Sequence, residues 1–339
     1  MPGKQYGAPQ PSGERHPAVA PADSEWTRSR QIPPAAPNCL HAEVVARPSP
    51  LKQNLFQNRR GKHLRVSPSR GRPAAAEMGC CSSRSSDSPA SRVTRWRSTG
   101  IVALRDAKLK VVPHEVLQVG NSLRTLDLTN NKIVEVPQEV GTIVNMQRLV
   151  LAGNLIENIP ANIGYLRNLK ILTLDRNRIT VLPEELGSLS NLQQLTVSQN
   201  SLLCLPKSVG DLCNMLLLNV SDNKLNALPE SIGGCKSLEE LQANGNTIED
   251  VPSSICNLAC LKSISLNGNK IRQLPPNLLK DCKALQNLSL HSNPISMDQF
   301  QQMDGFGEFE ARRRKKFDKQ IDSNVMMGST ALDEGIDLR

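Results

Sequence analysis

The chain has 339 residues, of which 38% are hydrophobic and only 3% aromatic, with a formal net charge of +9. That length leaves room for two ordinary domains, and so basic a chain would suit nucleic acid if the charge were spread evenly. It is not: residues 1–77 carry 12 Lys or Arg against 5 Asp or Glu, while the remainder carries 29 against 27, so attraction to phosphate backbones would rest on tails. No run of 18 apolar residues occurs, and no helical membrane span is expected. The first residues lack a basic stretch followed by an apolar one, so a secretory leader is not expected either.

Residues 1–77 hold 12 of the 23 prolines and show no sustained periodicity, which predicts a disordered Pro/Arg-rich extension. Frequent Arg and Ser also fit a transit peptide, and the five acidic residues count against it. Residues 78–98 read as a Cys/Ser-rich linker containing Met78-Gly79-Cys80-Cys81-Ser82-Ser83. If translation starts at Met78, its removal exposes Gly79, with Ser83 where the myristoylation pattern requires Ser or Thr and with Cys80 and Cys81 available for palmitate. One myristoyl chain binds membranes at only ~10⁴ M⁻¹, so the cysteines would supply the second anchor. In a chain begun at Met1 the glycine is internal, cannot be N-acylated, and the stretch is a plain linker.

From residue 99 to 296 a single pattern takes over. Asn131, Asn154, Asn177, Asn200, Asn223, Asn246, Asn269 and Asn293 follow one another at 23 residues, the last at 24. Each sits in L-x-x-L-x-L-x-x-N-x-[IL]-x-x-[LIV]-P, as in Leu123, Leu126, Leu128, Asn131, Ile133, Val136 and Pro137. Alternation turns Leu126 and Leu128 inward and Thr125, Asp127 and Thr129 outward, the period of a short strand. The carboxamide carries donors and an acceptor, so it can satisfy backbone groups of its own turn and of a neighbouring one. Prolines at 113, 137, 160, 183, 206, 229, 252 and 275 mark the far arc, where a missing N–H costs no ladder bond. Aliphatics after them, such as Val140, Ile143 and Met146, fill the core.

A period of 20 to 29 with this signature is that of leucine-rich repeats. The expected fold is an α/β-type solenoid, a horseshoe of about nine coils with short parallel strands on the concave face and irregular or 3-10 convex arcs. At ~4.8 Å per strand the sheet would be roughly 38 Å long. The first copy (Val102, Leu104, Leu109, Val112, Pro113) has Ala107 in place of asparagine, and the last (Leu285, Leu288, Leu290, Asn293, Ile295) lacks the proline. Ala243, replacing an inward leucine, predicts a weak strand.

Residues 297–320 form a predicted C-terminal cap: Met297, Phe300, Met303, Phe306 and Phe309 recur at steps of three and shield the last coil. Arg312-Arg313-Arg314-Lys315-Lys316-Phe317-Asp318-Lys319 follows, readable as a solvated helix end, a contact for anionic lipid or a nuclear address. Residues 321–339 are expected to be a flexible tail.

Catalytic chemistry finds no foothold. Three of the five His lie in 1–77, His114 falls in an arc and His291 stands alone on the sheet; phosphate loops, nucleophile elbows and H-E-x-x-H are absent from the sequence. Gly153, Gly245 and Gly268 precede the asparagine and are turn residues. The nine cysteines are an odd number, and Cys256 and Cys260 have no nearby His or second Cys pair to complete a zinc site. Asn219-Val-Ser221 and Asn287-Leu-Ser289 read as strand residues, not glycosylation acceptors. No enzyme activity, cofactor, metal or small-molecule substrate is expected. What remains is a surface: the outward side chains Arg148, Val150, Ile171, Thr173, Asp175, Thr196, Leu217, Asn219, Glu240 and Gln242 are the candidate protein-binding residues, with Val150 and Ile171 as an exposed apolar anchor flanked by Arg148 and Asp175.

The arc P-x-x-[LIV]-[GC]-x-[LI]-x-x-[LM], seen in Pro160-Ala161-Asn162-Ile163-Gly164-Tyr165-Leu166-Arg167-Asn168-Leu169, resembles the 23-residue cytoplasmic class of the Ras-suppressor and Shoc-type scaffolds and of plant intracellular Ras-group-related proteins. In layout, from Gly79 to Lys319, the chain is similar to the leucine-rich repeat-containing protein 57 type, which has no counterpart of the 77-residue extension. The resemblance implies a non-enzymatic cytoplasmic adaptor in signal transduction, peripheral at the plasma membrane if translation starts at Met78, with a protein partner such as a small GTPase or signalling enzyme. Two alternatives stand beside it: a regulatory or substrate-selecting subunit of a ligase or phosphatase complex, and nucleic-acid binding through the basic tails.

Overall fold

The computed structural model describes residues 88–324; residues 1–87, with Gly79, Cys80 and Cys81, and residues 325–339 lie outside it. Nine three-residue strands form one parallel sheet in chain order: β1 (Ile101–Ala103), β2 (Thr125–Asp127), β3 (Arg148–Val150), β4 (Ile171–Thr173), β5 (Gln194–Thr196), β6 (Leu217–Asn219), β7 (Glu240–Gln242), β8 (Ser263–Ser265) and β9 (Asn287–Ser289). Leu126, Leu149, Leu172, Leu195, Leu218, Leu241, Ile264 and Leu288 are register partners in sequence, each at most 1% exposed. A slip of one residue would turn this whole row to water, so the register is fixed by burial.

The asparagine ladder bonds backward. Asn154 Nδ2 donates to the Leu151 carbonyl of its own coil (2.9 Å) and to the Leu128 carbonyl of the preceding one (3.0 Å), and Oδ1 accepts the Ile133 N–H (3.1 Å). Asn131 does the same for the first coil, taking the Leu109 N–H (2.9 Å) and donating to the Leu104 carbonyl (2.8 Å). The first coil has no predecessor to serve, so exposed Ala107 stands there without leaving a backbone group unpaired. The turn before each asparagine is left-handed, with Gly153, Gly245 and Gly268 at φ +67°, +60° and +63°. Ala243 is buried, and its carbonyl accepts from Asn246 (3.2 Å) and Asn269 (2.9 Å), so the expected weak strand keeps its register.

Each arc opens at a proline. Pro113 precedes α2 (His114–Val119), and Pro137, Pro160, Pro183, Pro206, Pro229 and Pro252 precede five-residue 3-10 turns. The final arc is instead a short helix, α3 (Leu278–Asp281). Successive 3-10 turns touch through glycine: a Cβ on Gly187 would stand 2.6 Å from both the carbonyl oxygen and the Cβ of Ser208. Cys256 occupies the equivalent place in the arc facing α3, where the neighbour is no longer a 3-10 turn. Glu184 further ties two arcs, accepting the Lys207 and Ser208 N–H groups (3.1 and 2.9 Å). Burial alone would raise its carboxyl; the two N–H groups outweigh that and hold it below the usual carboxylate range. Cys235 and Cys282 take aliphatic places at arc ends, and burial pushes both thiols up to about 12.

The ends are closed by helices. α1 (Pro89–Thr99), inside the stretch expected to be linker, starts at a Ser88 cap and lays Val93 and Trp96 on the first coil. Arg92 stands over the Trp96 ring at 5.7 Å and pairs with Glu115 at 3.3 Å. At the other end come α4 (Met297–Gln301), capped by Ser296 and carrying Gln299 where the repeat would have its proline, and α5 (Phe306–Asn324). Phe300 and Phe309 are buried and meet edge to face, with centroids 6.2 Å apart. The basic segment is partly consumed in this cap: Arg312 donates to the Leu285 and Leu279 carbonyls (3.0 and 2.9 Å), and Lys316 donates to Asn287 Oδ1 (2.8 Å). These groups have no following coil to bond. α5 also continues to Asn324, past residue 320 where the flexible tail was expected to begin.

Two substitutions test the ladder and the arc contact. Asn223→Ala leaves the Leu202 N–H without its acceptor and takes one of two asparagine donors from each of the Val197 and Val220 carbonyls, which keep Asn200 and Asn246; a loss of about 1–3 kcal/mol is expected in urea unfolding, with faster exchange of the Leu202 amide. Gly187→Ala is expected to lose about 1–3 kcal/mol, because the facing backbone at Ser208 must move, and calorimetry would read this as a lower melting temperature.

Candidate protein-binding face

Three rows of side chains point out of the sheet, and the scaffold claims them unequally. The row beginning each strand runs Arg148, Ile171, Gln194, Leu217, Glu240 and Ser263. Arg148 and Gln194 are exposed, and Ile171 and Leu217 are half-buried. The middle row runs Val150, Thr173, Thr196, Asn219, Gln242 and Ser265. Val150, expected as an exposed anchor, is only 7% exposed, wedged in the register between Asp127 and Thr173. A middle-row side chain has neighbours on every side, whereas the first row borders the open edge.

The third row is tied into the structure. Asp175, expected as a free rim charge, accepts from Thr196 Oγ1, Ser198 Oγ and the Ser198 N–H, all at 2.7 Å. Further along, Ser221 Oγ accepts the Asn244 N–H (3.2 Å), Asn244 Oδ1 the Asn267 N–H (2.9 Å), and Asn267 Oδ1 the His291 N–H (2.8 Å). Asn219 Oδ1 accepts the Ser221 N–H (3.0 Å), and Gln242 donates to Glu240. Asp127 is held by Arg105 at 2.6 Å and by Thr129. Its burial favours the neutral acid, but Arg105 and Thr129 prevail and hold the carboxyl below the usual range.

The ten expected binding residues therefore share one face over β3 to β7, but their freedom differs. Ile171 and Leu217 remain available as apolar contacts, flanked by Arg148, Gln194 and Glu240. Leu216, adjoining Leu217 and 38% exposed, belongs with them. The sequence signal for it was the run Leu216-Leu217-Leu218, one leucine more than the strand needs. A second asparagine series also went unread: Asn145, Asn168, Asn191 and Asn214, again 23 apart, donate to the carbonyls of Asn121, Val144, Arg167 and Ser190 (2.8–3.0 Å) where the chain climbs to each strand. Among the described residues, no group of three His, Cys, Asp or Glu is placed to hold a metal ion.

Comparison with known proteins agrees with this architecture. The family described as leucine-rich repeat region matches residues 101–198 and 161–242. Plant intracellular Ras-group-related LRR protein 7 of Oryza sativa subsp. japonica is 90% identical over 261 residues, which are 77% of this chain and 100% of that protein. Its relative numbered 8 from the same organism is 48% identical over 60 residues, 18% of this chain and 16% of that one. Among solved structures, internalin C2 of Listeria monocytogenes superposes with a TM-score of 0.51 at 25% identity, covering 58% of this chain and 83% of that chain. With nine in-register coils and so close a relative matched along its full length, the chain belongs to the plant intracellular Ras-group-related leucine-rich repeat family.

Proposed function

We propose that the chain is a non-enzymatic scaffold in signal transduction that binds a protein partner on the concave sheet, with Ile171, Leu216 and Leu217 as apolar contacts and Arg148, Gln194 and Glu240 as their polar surround. The observation that carries this reading is the inequality of the rows. Hydrogen bonds tie much of the outward-facing surface to the backbone, yet the first row leaves aliphatic side chains bordering the edge, the composition of a contact centre with a polar rim. Leucine-rich repeats are protein-interaction scaffolds as a class, and the name of the rice relative, which joins it to a Ras group, supports a small GTPase or a signalling enzyme as partner. The double variant Ile171→Asp, Leu217→Asp is expected to lose partner capture from a plant lysate by about tenfold or more, while Val181→Asp, at an exposed site outside the strands, retains it. The same capture by wild type and double variant would refute the reading.

For location, the proposal is a cytoplasmic protein held at the plasma membrane through Gly79, Cys80 and Cys81 when translation starts at Met78. The start at Met78 is supported by a length alone, since the rice relative is matched whole over 261 residues and Met78 to Arg339 is 262, while the acyl anchor rests on the Met78–Ser83 motif itself. No described helix is long and apolar enough to cross a membrane. Mass spectrometry of the native N-terminus is expected to find acylated Gly79, and Gly79→Ala to shift the protein from the membrane to the soluble fraction. A native N-terminus found only as unmodified Met1 would remove the anchor.

A further inference from the structure

The first coils carry a basic surface of which the concave reading uses only Arg148. Where the chain climbs from each arc to its strand, a recess of about 590 Å³ opens between the C-terminal end of α1 and the climbing segments of three coils. Arg97, Thr99, Arg124, Asn145, Gln147 and Asn168 are among its lining residues, and no acidic side chain lines it. Arg97 spends one contact on the Gln118 carbonyl (2.6 Å). Arg124 is exposed and has no acidic partner among the described residues, and the same is true of Arg148 and Lys170 in the next two coils. Successive coils are ~4.8 Å apart, so the four cations follow one edge in steps an extended chain can match. Among the described residues, acidic side chains stand on this edge only at Glu239 and Glu240, where Glu239 pairs with Lys262 (2.7 Å).

The carboxamides decide which anion fits. Asn145 and Asn168 direct Nδ2 at the Asn121 and Val144 carbonyls (both 3.0 Å), because a carbonyl can only accept. Their Oδ1 atoms, which accept no hydrogen bond from the described residues, are thereby left as acceptors beside the cations. A nucleic-acid backbone or an anionic headgroup brings mainly further acceptors to such a surface. A polypeptide brings carboxylates and N–H donors together.

We propose that this edge binds an acidic polypeptide segment in extended form, its carboxylates against Arg97, Arg124, Arg148 and Lys170 and its N–H groups against Asn145 and Asn168. Arg148 also borders the concave contact, whereas Arg97, Arg124, Lys170, Asn145 and Asn168 take no part in it, so the test is made on Arg124 and Lys170.

The test is fluorescence anisotropy on the full chain with a labelled peptide alternating Glu and Ser. Binding that weakens with added salt is expected, together with a loss of about tenfold or more in Arg124→Glu, Lys170→Glu. Arg178→Glu, an exposed change after the ladder asparagine of the same coil, is expected to keep wild-type affinity. A peptide with Gln in place of Glu is expected not to bind. Thermal melting confirms that each variant is folded, and the milder Arg124→Gln, Lys170→Gln takes the place of any that is not. Unchanged affinity in the charge-reversed variant overturns the proposal. So does tighter binding of single-stranded DNA or of phosphatidylglycerol vesicles than of the peptide.

Discussion

The structure depends on one carboxamide per coil reaching back to the coil before it. Three-residue strands cannot satisfy the backbone where the chain leaves the sheet, and an unpaired buried N–H or carbonyl costs about 1–3 kcal/mol. Asparagine resolves this with one side chain, because Oδ1 takes the orphan N–H while Nδ2 serves carbonyls on both sides, as at Ile179, Leu174 and Val197 around Asn200. The spacing of 23 residues follows from this geometry. The 24-residue last coil takes up its extra residue in the arc at α3, so Asn293 still takes the Ile271 N–H (3.0 Å) and donates to the Leu266 carbonyl (2.8 Å), and Leu288 stays in register with Ile264.

Direction gives the solenoid unlike ends. Since each asparagine serves its predecessor, the first coil can lack one, and Ala107 marks the place. The last coil has the opposite difficulty: its carbonyls face no successor. Arg312 answers for two of them, at Leu279 and Leu285, and the phenylalanines of α4 and α5 cover the exposed core. Charge in this segment is therefore part of how the fold terminates, which leaves Arg314 and Lys315 as the exposed cations among its described side chains. A basic run read from composition alone suggests a ligand; read against the last coil, half of it is a cap.

Periodicity made the fold legible. Strand positions, the buried leucine row, the proline at each arc and both atypical ends could be read from spacing, because each repeated residue answers a repeated physical need. The face was less legible for the same reason. Inward and outward follow from alternation, but whether an outward side chain is free depends on neighbours 21 to 24 residues away. Val150 looked like an anchor and is enclosed; Asp175 looked like a rim charge and is bonded to Thr196 and Ser198. The helix at Pro89–Thr99 was missed because its apolar face has only Val93 and Trp96, too few for a periodic signal, although Ser88 followed by Pro89 is a helix start.

The proposed recognition would then fall on positions that the ladders leave over. The asparagine ladder holds the turn after the strand, the third outward row holds the backbone beside it, and the second asparagine series holds the climb before it. Each consumes donors or acceptors that a partner would otherwise meet. What the ladders leave is the first outward row and the residue preceding it: cationic at Arg124, Arg148 and Lys170, aliphatic at Leu216 and Leu217, and acidic at Glu239 and Glu240, where Glu239 pairs with Lys262 and Glu240 accepts from Gln242. A partner laid along this border would meet positive charge, then apolar surface, then negative charge in one pass. Reversing its direction would set like charges against each other at both ends, so the same border can select orientation as well as partner.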